Sequence, residues 1–275
     1  MIFRQRFFNR YLILSACLLF ITLFLSFALQ TGYFKVLFFF KPSPEFETQE
    51  AYMTFHFSLD MYIENGVRYQ QLIAPLIISF SALHFLTEKT GYFVNIYGRV
   101  KNYRTTVIKS VFCHAAASAL YLFGAYLVFF LLGKVVAFGP IFENPVMHYM
   151  SDIFGPNFYE EHYSLFYLID GFIKFGVFPF FYSIFCMSVA FVTEKKYLFV
   201  LLPTLYFFMM SVAMAALPKN IFGFSNNYLA PAHVFAIQAA VYPPFYTAFT
   251  GLIIPLVIAV ILITCRLKGR EKFAV

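Results

Sequence analysis

Residues 107–133 read VIKSVFCHAAASALYLFGAYLVFFLLG. One lysine and one histidine interrupt an otherwise apolar or small-residue run. About 20 such residues suffice to cross a bilayer as a helix. The small residues Ala115, Ala116, Ala117, Ser118 and Ala119 suit close packing against other helices. Five more stretches share this character: residues 11–31, 71–87, 165–192, 197–217 and 245–265. The expected fold is an all-α membrane protein of six transmembrane helices forming a single domain, residues 1–275. The 165–192 stretch is long enough to tilt or to extend beyond the bilayer.

The composition agrees. Of 275 residues, 61% are apolar or aromatic and 12% are charged. A soluble domain carries roughly 25% charged residues. A soluble enzyme, a disordered chain and a collagen-like repeat are excluded. With 41 Phe, 20 Tyr and no Trp, any interfacial aromatic belt must be built from Phe and Tyr. Cys17, Cys113, Cys186 and Cys265 fall in apolar stretches without close pairs. They read as small buried hydrophobes, not as a disulfide or zinc framework.

Fourteen of the 20 basic residues fall on one side of a six-span layout: Arg4, Arg6, Arg10, Lys89, Arg99, Lys101, Arg104, Lys109, Lys195, Lys196, Arg266, Lys268, Arg270 and Lys272. Five fall on the other side: Lys35, Lys41, Arg68, Lys134 and Lys219. Lys174 lies within a span. Nine acids gather opposite the basic side: Glu45, Glu47, Glu50, Asp60, Glu64, Glu143, Asp152, Glu160 and Glu161. The positive-inside rule then places both termini in the cytoplasm. The +7 net charge reports this orientation, not nucleic-acid binding. Leu14-Ser15-Ala16-Cys17 has the form of a lipoprotein cleavage box, but the apolar run continues through Leu29, so an ordinary first span is expected.

Phosphate-loop, His-Glu-x-x-His and Gly-x-Ser-x-Gly motifs are absent. The chain is not expected to be an enzyme, to bind a metal or to hold a cofactor. The connections opposite the basic side span about 32–70, 134–164 and 218–244. In the last, Ala230–Tyr242 is apolar but too short to span, and reads as a re-entrant or interfacial element.

The basic connection between the second and third spans, TEKTGYFVNIYGRVKNYR at residues 87–104, is the most informative. Val94, Ile96, Tyr97, Val100 and Tyr103 recur at near-helical spacing. This fits a short amphipathic helix at the membrane face, or a basic turn on anionic headgroups. The pair Glu88-Lys89 with Gly91, the apolar patch, and Arg99, Tyr103 and Lys109 resemble permease subunits of the ABC-2 type transporter family of Gram-positive bacteria. The resemblance covers most of the chain as layout, and residues 85–110 as sequence. The long connections at 32–70 and 134–164 depart from the simplest members.

The resemblance implies an exporter of hydrophobic or amphipathic cargo (peptide, antimicrobial or lipid) in a bacterial plasma membrane. Glu88, Lys89, Gly91, Tyr97, Arg99, Lys101, Tyr103 and Arg104 would form a segment coupling to a separate cytoplasmic ATP-binding subunit. ATP and Mg would sit on that partner. A second permease subunit, identical or homologous, would complete the pore within membrane lipid. The start of the chain, with Arg4, Arg6 and Arg10 among Phe3, Phe7 and Phe8, would be an interfacial helix flanking the ATPase; a topogenic basic tail fits equally. The rival class is a non-transport membrane protein: a sensor, an assembly factor or an intramembrane enzyme.

Three further features stand out. Asp170 and Lys174 lie four apart on one helical face, as a functional intramembrane pair or an interfacial one. His84 and His114, with Glu88 near in sequence, fit either a proton relay or satisfied polar groups between helices. Phe178, Phe180, Phe181, Tyr182 and Phe185 fit a hydrophobic path or lipid-facing packing, and Pro179, Pro203 and Pro255 are candidate kinks.

Overall fold

A computed structural model describes residues 8–42, 47–96, 102–137, 149–217, 226–236 and 244–271. Among these residues the chain is helical, with no strand. Six helices are long and apolar enough to cross a membrane: α1 (Arg10–Gln30), α2 (Gln70–Phe93), α3 (Tyr103–Val136), α4 (Tyr163–Val189), α5 (Lys196–Ala216) and α6 (Thr247–Leu267). These are the lengths and composition of a multi-pass membrane protein.

Local chemistry sets the ends of α1. The Asn9 side chain accepts from the amides of Tyr11 and Leu12, both at 3.1 Å, capping the helix start. Gly32, at φ 62°, turns the chain into the short helix Tyr33–Phe39. Neighbouring spans run antiparallel. Tyr11 meets Phe80 while Ser26 donates to the carbonyl of Asn65, and Glu88 meets His114 while Ser81 bonds Ser118. One end of the bundle therefore carries Arg10, Lys89, Arg104 and Lys196, and is called the basic end here. The opposite, acidic end carries Asp60, Glu64, Glu160 and Glu161.

α4 is the central span, with 78% of its apolar window buried, against 17% for α5. Aromatic rings fill the space around it. Tyr126 stacks on Phe175 at 5.0 Å between centroids, and Phe178 stacks on Tyr182 at 5.4 Å. Phe178, Tyr182 and Phe185 are buried against Phe207, Phe235 and Tyr206, so they form core rather than the wall of an open path. Phe180 and Phe181, half-buried, line an apolar cleft of about 340 Å³ between α3 and α4. The cysteines divide: Cys186 is buried, Cys113 is intermediate, and Cys17 and Cys265 face outward, where the expectation had all four inside.

Three boundaries differ from the sequence expectation. α2 runs on past residue 87 to Phe93, because its charged residues Glu88 and Lys89 are paired sideways inside the bundle. α3 extends beyond 107–133 at both ends. The third difference lies in the first long connection. There the helix Leu59–Arg68 is packed into the acidic end. Leu59, Tyr62, Ile63 and Val67 share its buried face. Tyr62 stacks on Phe129 at 4.3 Å and donates to that residue's carbonyl at 3.2 Å.

Pro203 lies inside α5, and Pro179 stands directly after the π turn Ile173–Val177 inside α4. Between α5 and α6 the described residues form a 3-10 turn, Asn226–Leu229, and a short helix, His233–Ala236, whose Phe235 packs on Phe175 and Phe178. Residues 237–243, most of the rest of the expected short element, lie outside the described residues.

Candidate functional site

Two ionic clusters are buried in the bundle, one toward each end, and each adjoins a turn of π-helix. Single π turns inside α-helices concentrate at functional sites.

The first cluster is at the basic end. Glu88 precedes the π turn Lys89–Phe93. Its Oε2 lies 2.6 Å from His114 Nε2 and accepts from Ser110 Oγ at 3.0 Å. Ser110 and His114 are one turn apart on α3, so both reach the same oxygen. The side chains of Glu88 and His114 are 6% and 3% exposed. Lys89 donates across to Glu194 Oε1 at 3.3 Å, in the turn between α4 and α5. The ring of His84 lies 5.4 Å from that of His114. One turn further along α3, Ser118 accepts from Ser183 Oγ at 3.1 Å and bonds Ser81. A separate buried group of three hydroxyls thus lies one turn deeper in the bundle.

The second cluster is on α4. Lys174 Nζ donates to Asp170 Oδ2 at 2.8 Å, and Tyr149 donates its hydroxyl to Oδ1 at 2.8 Å. Asp170 and Lys174 are 4% and 5% exposed. Lys174 stands in the π turn Ile173–Val177. Burial, and then the nearby Asp170 charge, push the Tyr149 phenol well above its usual range, so it stays a donor. Tyr149 stacks on Phe245 at 5.9 Å, tying the cluster to the segment before α6. Beside the pair, Gly171 admits Tyr126, whose hydroxyl donates to the Tyr167 carbonyl at 2.7 Å.

The expected coupling residues separate. Glu88 and Lys89 are buried and turned into the bundle, so they offer little surface to a partner. Gly91 and Arg104 are exposed, and Tyr103 is half-buried against Phe93. Tyr97, Arg99 and Lys101 lie outside the described residues, as do Arg4 and Arg6. Arg10 is exposed and lies over the ring of Tyr11 at 5.1 Å. Ser110, Tyr149 and Glu194 were not anticipated as members of these clusters. The spacing Ser110, His114, Ser118 on one face of α3 was the available signal for the first. Tyr149 carried none, because its partner lies in another segment.

Among the described residues no group of three or more His, Cys, Asp or Glu could hold a metal ion. No family model, curated protein or solved structure matches the chain. What the fold and the two clusters define is a class: a polytopic α-helical membrane protein with ion pairs buried in its bundle.

Proposed function

We propose that the chain is the membrane subunit of an ATP-binding-cassette exporter of hydrophobic or amphipathic cargo, in a bacterial plasma membrane with both termini in the cytoplasm. A separate ATP-binding subunit, carrying ATP and Mg, would dock on the segment around residues 90–104, and a second permease subunit would pair with this one. The observation that carries the reading is the anchoring of that segment. Its exposed part begins directly beyond Glu88 and Lys89, which are tied to α3 through His114 and Ser110 and to the α4–α5 turn through Glu194. A push on the segment would therefore reach three spans at once. The chain itself would not hydrolyse ATP. The Ala230–Tyr242 stretch would form an interfacial or re-entrant element.

The direct test is co-purification with an ATPase, comparing the wild type with the triple charge reversal Arg99→Glu, Lys101→Glu, Arg104→Glu. The expected result is loss of the association; an unchanged complex overturns the docking segment. Single cysteines at Glu47, Ile96, Glu160 and Arg270 test the orientation. Labelling of position 96 from outside intact cells refutes it. The rival, a non-transport membrane protein, is favoured if no open reading frame for a Walker-type ATPase neighbours the gene.

A further inference from the structure

We propose that the acidic end of the bundle carries a binding site for an anionic phospholipid, in the cleft between the end of α1 and the helices Tyr33–Phe39 and Gln49–His56. The inference stands apart from ATPase docking and would hold for either class of membrane protein. The cleft has a volume of about 770 Å³. Lys35 and Lys41 line it together with the apolar Leu29, Val36, Phe39 and Phe40. Two cations beside an apolar wall call for an amphipathic anion. Its phosphate accepts from the ammonium groups, and its acyl chain covers the wall.

The cleft lies at the depth of lipid headgroups. α1 has 21 residues. At 1.5 Å per residue it is about 31 Å long, which matches the hydrocarbon core, so the residues after Gln30 stand at the interface. Gly32 turns the chain there into Tyr33–Phe39. Tyr33 seats that helix on the bundle, with ring centroids 5.9 Å from Phe27 and 5.2 Å from Phe57. Phe34, Leu37 and Phe38 follow i, i+3, i+4 spacing and are exposed, Phe38 at 69%. Such a face belongs in the acyl boundary of a leaflet. Lys35, Val36 and Phe39 stand on the side toward the cleft.

The lysines are the groups left to bind. Thr31 donates to the Phe27 carbonyl at 2.8 Å, Gln30 donates to Tyr69, and Tyr52 donates to the Thr31 carbonyl at 3.4 Å. Gln49 donates to the Val36 carbonyl at 3.0 Å and ties the two short helices together. Lys35 and Lys41 make no ion pair among the described residues, although this end is rich in acids and the exposed Glu47 and Glu50 are near in the chain. A free phosphate would satisfy the lysines and leave the apolar wall bare, whereas a lipid satisfies both. Each lysine contributes about fivefold to attraction at an anionic surface, and the two together about 30-fold.

The test uses the full chain, which has no Trp, with Phe40→Trp as its one indole, in nanodiscs of phosphatidylcholine. Part of the lipid is replaced by phosphatidylglycerol or by phosphatidylcholine, each with brominated acyl chains that quench the indole on contact. Brominated phosphatidylglycerol should reach half-quenching at a mole fraction about 30-fold below that of brominated phosphatidylcholine. Lys35→Gln with Lys41→Gln should remove that preference, and either substitution alone should leave about fivefold of it. Lys134→Gln, at another exposed lysine of the same end, should leave it unchanged. Inorganic phosphate, added at constant ionic strength, should not relieve the quenching. Equal quenching by the two lipids overturns the proposal. So does a preference that survives in the double lysine variant, or one lost in Lys134→Gln, which would report the general surface field. Relief by inorganic phosphate would assign the cleft to the free ion and overturn the lipid. If Phe40→Trp does not fold, Phe39→Trp, at a position 74% exposed, decides.

Discussion

Replacing Lys174 by Met leaves the Asp170 carboxylate in the bundle, still accepting from the Tyr149 hydroxyl at 2.8 Å. Both residues of the native pair are about nineteen-twentieths buried, at 4% and 5% exposure. At such sites removal of one partner costs about 3–5 kcal/mol, because the other charge stays behind uncompensated. Lys174→Met should therefore lower stability by about 3 kcal/mol or more, roughly two decades in the folding equilibrium. Removing both charges together, as Asp170→Leu with Lys174→Met, should return most of that loss, since an apolar pair of similar volume needs no solvation. The double variant is expected within about 1–2 kcal/mol of the wild type, the residue being the lost bond from Tyr149. Reversible unfolding in bicelles, followed by circular dichroism for the wild type, each single variant and the double, gives the coupling energy. A Lys174→Met cost below about 1 kcal/mol, the value of a solvated surface pair, would refute the reasoning. A double variant as damaged as the single would refute it too.

Three other substitutions probe the packing. Gly171→Ala places a Cβ 1.7 Å from Tyr126 Cε1, so the ring must leave its bond to Tyr167 and its stack on Phe175; the expected loss is about 3 kcal/mol. Gly124→Ala, with nothing within 4 Å, should be neutral or stabilising in the same assay, and equal effects at the two glycines would contradict this packing. Tyr62→Phe keeps the stack on Phe129 and deletes the bond to its carbonyl, for about 1 kcal/mol measured by thermal unfolding. Burial pushes the His233 imidazole from 6.5 down to about 4, so the folded state keeps it neutral while the unfolded chain takes up a proton. Stability is then lost as pH falls from about 6.5 to about 4, by up to about 3 kcal/mol. His233→Leu should flatten that part of the unfolding profile, and an unchanged slope would exclude the effect.

The six spans were legible because crossing a bilayer demands apolar length, and composition records length directly. Their exact limits were not. Glu88 and Lys89 look like the polar end of a span, yet α2 continues through them because Ser110, His114 and Glu194 supply partners. Pairing across such separations leaves no local trace. The helix Leu59–Arg68 was hidden for a related reason. Asp60, Glu64 and Arg68 lower its mean hydropathy, although Leu59, Tyr62, Ile63 and Val67 already mark one buried stripe. The Asp170 and Lys174 spacing was readable on one helix; the arrival of Tyr149 was not. The aromatic segment around Phe178 was ambiguous because core and cargo path call for the same residues, and only Phe207, Phe235 and Tyr206 distinguish them. Neither π turn has a sequence signature at all.

Those two turns also bear on how the gene tolerates insertions and deletions. A π turn holds one residue more than the α-helix around it needs. Deleting one residue within Ile173–Val177 would let the ladder close in α geometry while the two halves of α4 keep their facing. Deleting one from a regular stretch of the same span would rotate everything beyond by about 100° and turn the packed face of Phe178 and Tyr182 away from its neighbours. The span thus carries a spare residue at the site of its buried charge, and single-codon length changes should be admitted there and rejected elsewhere along it.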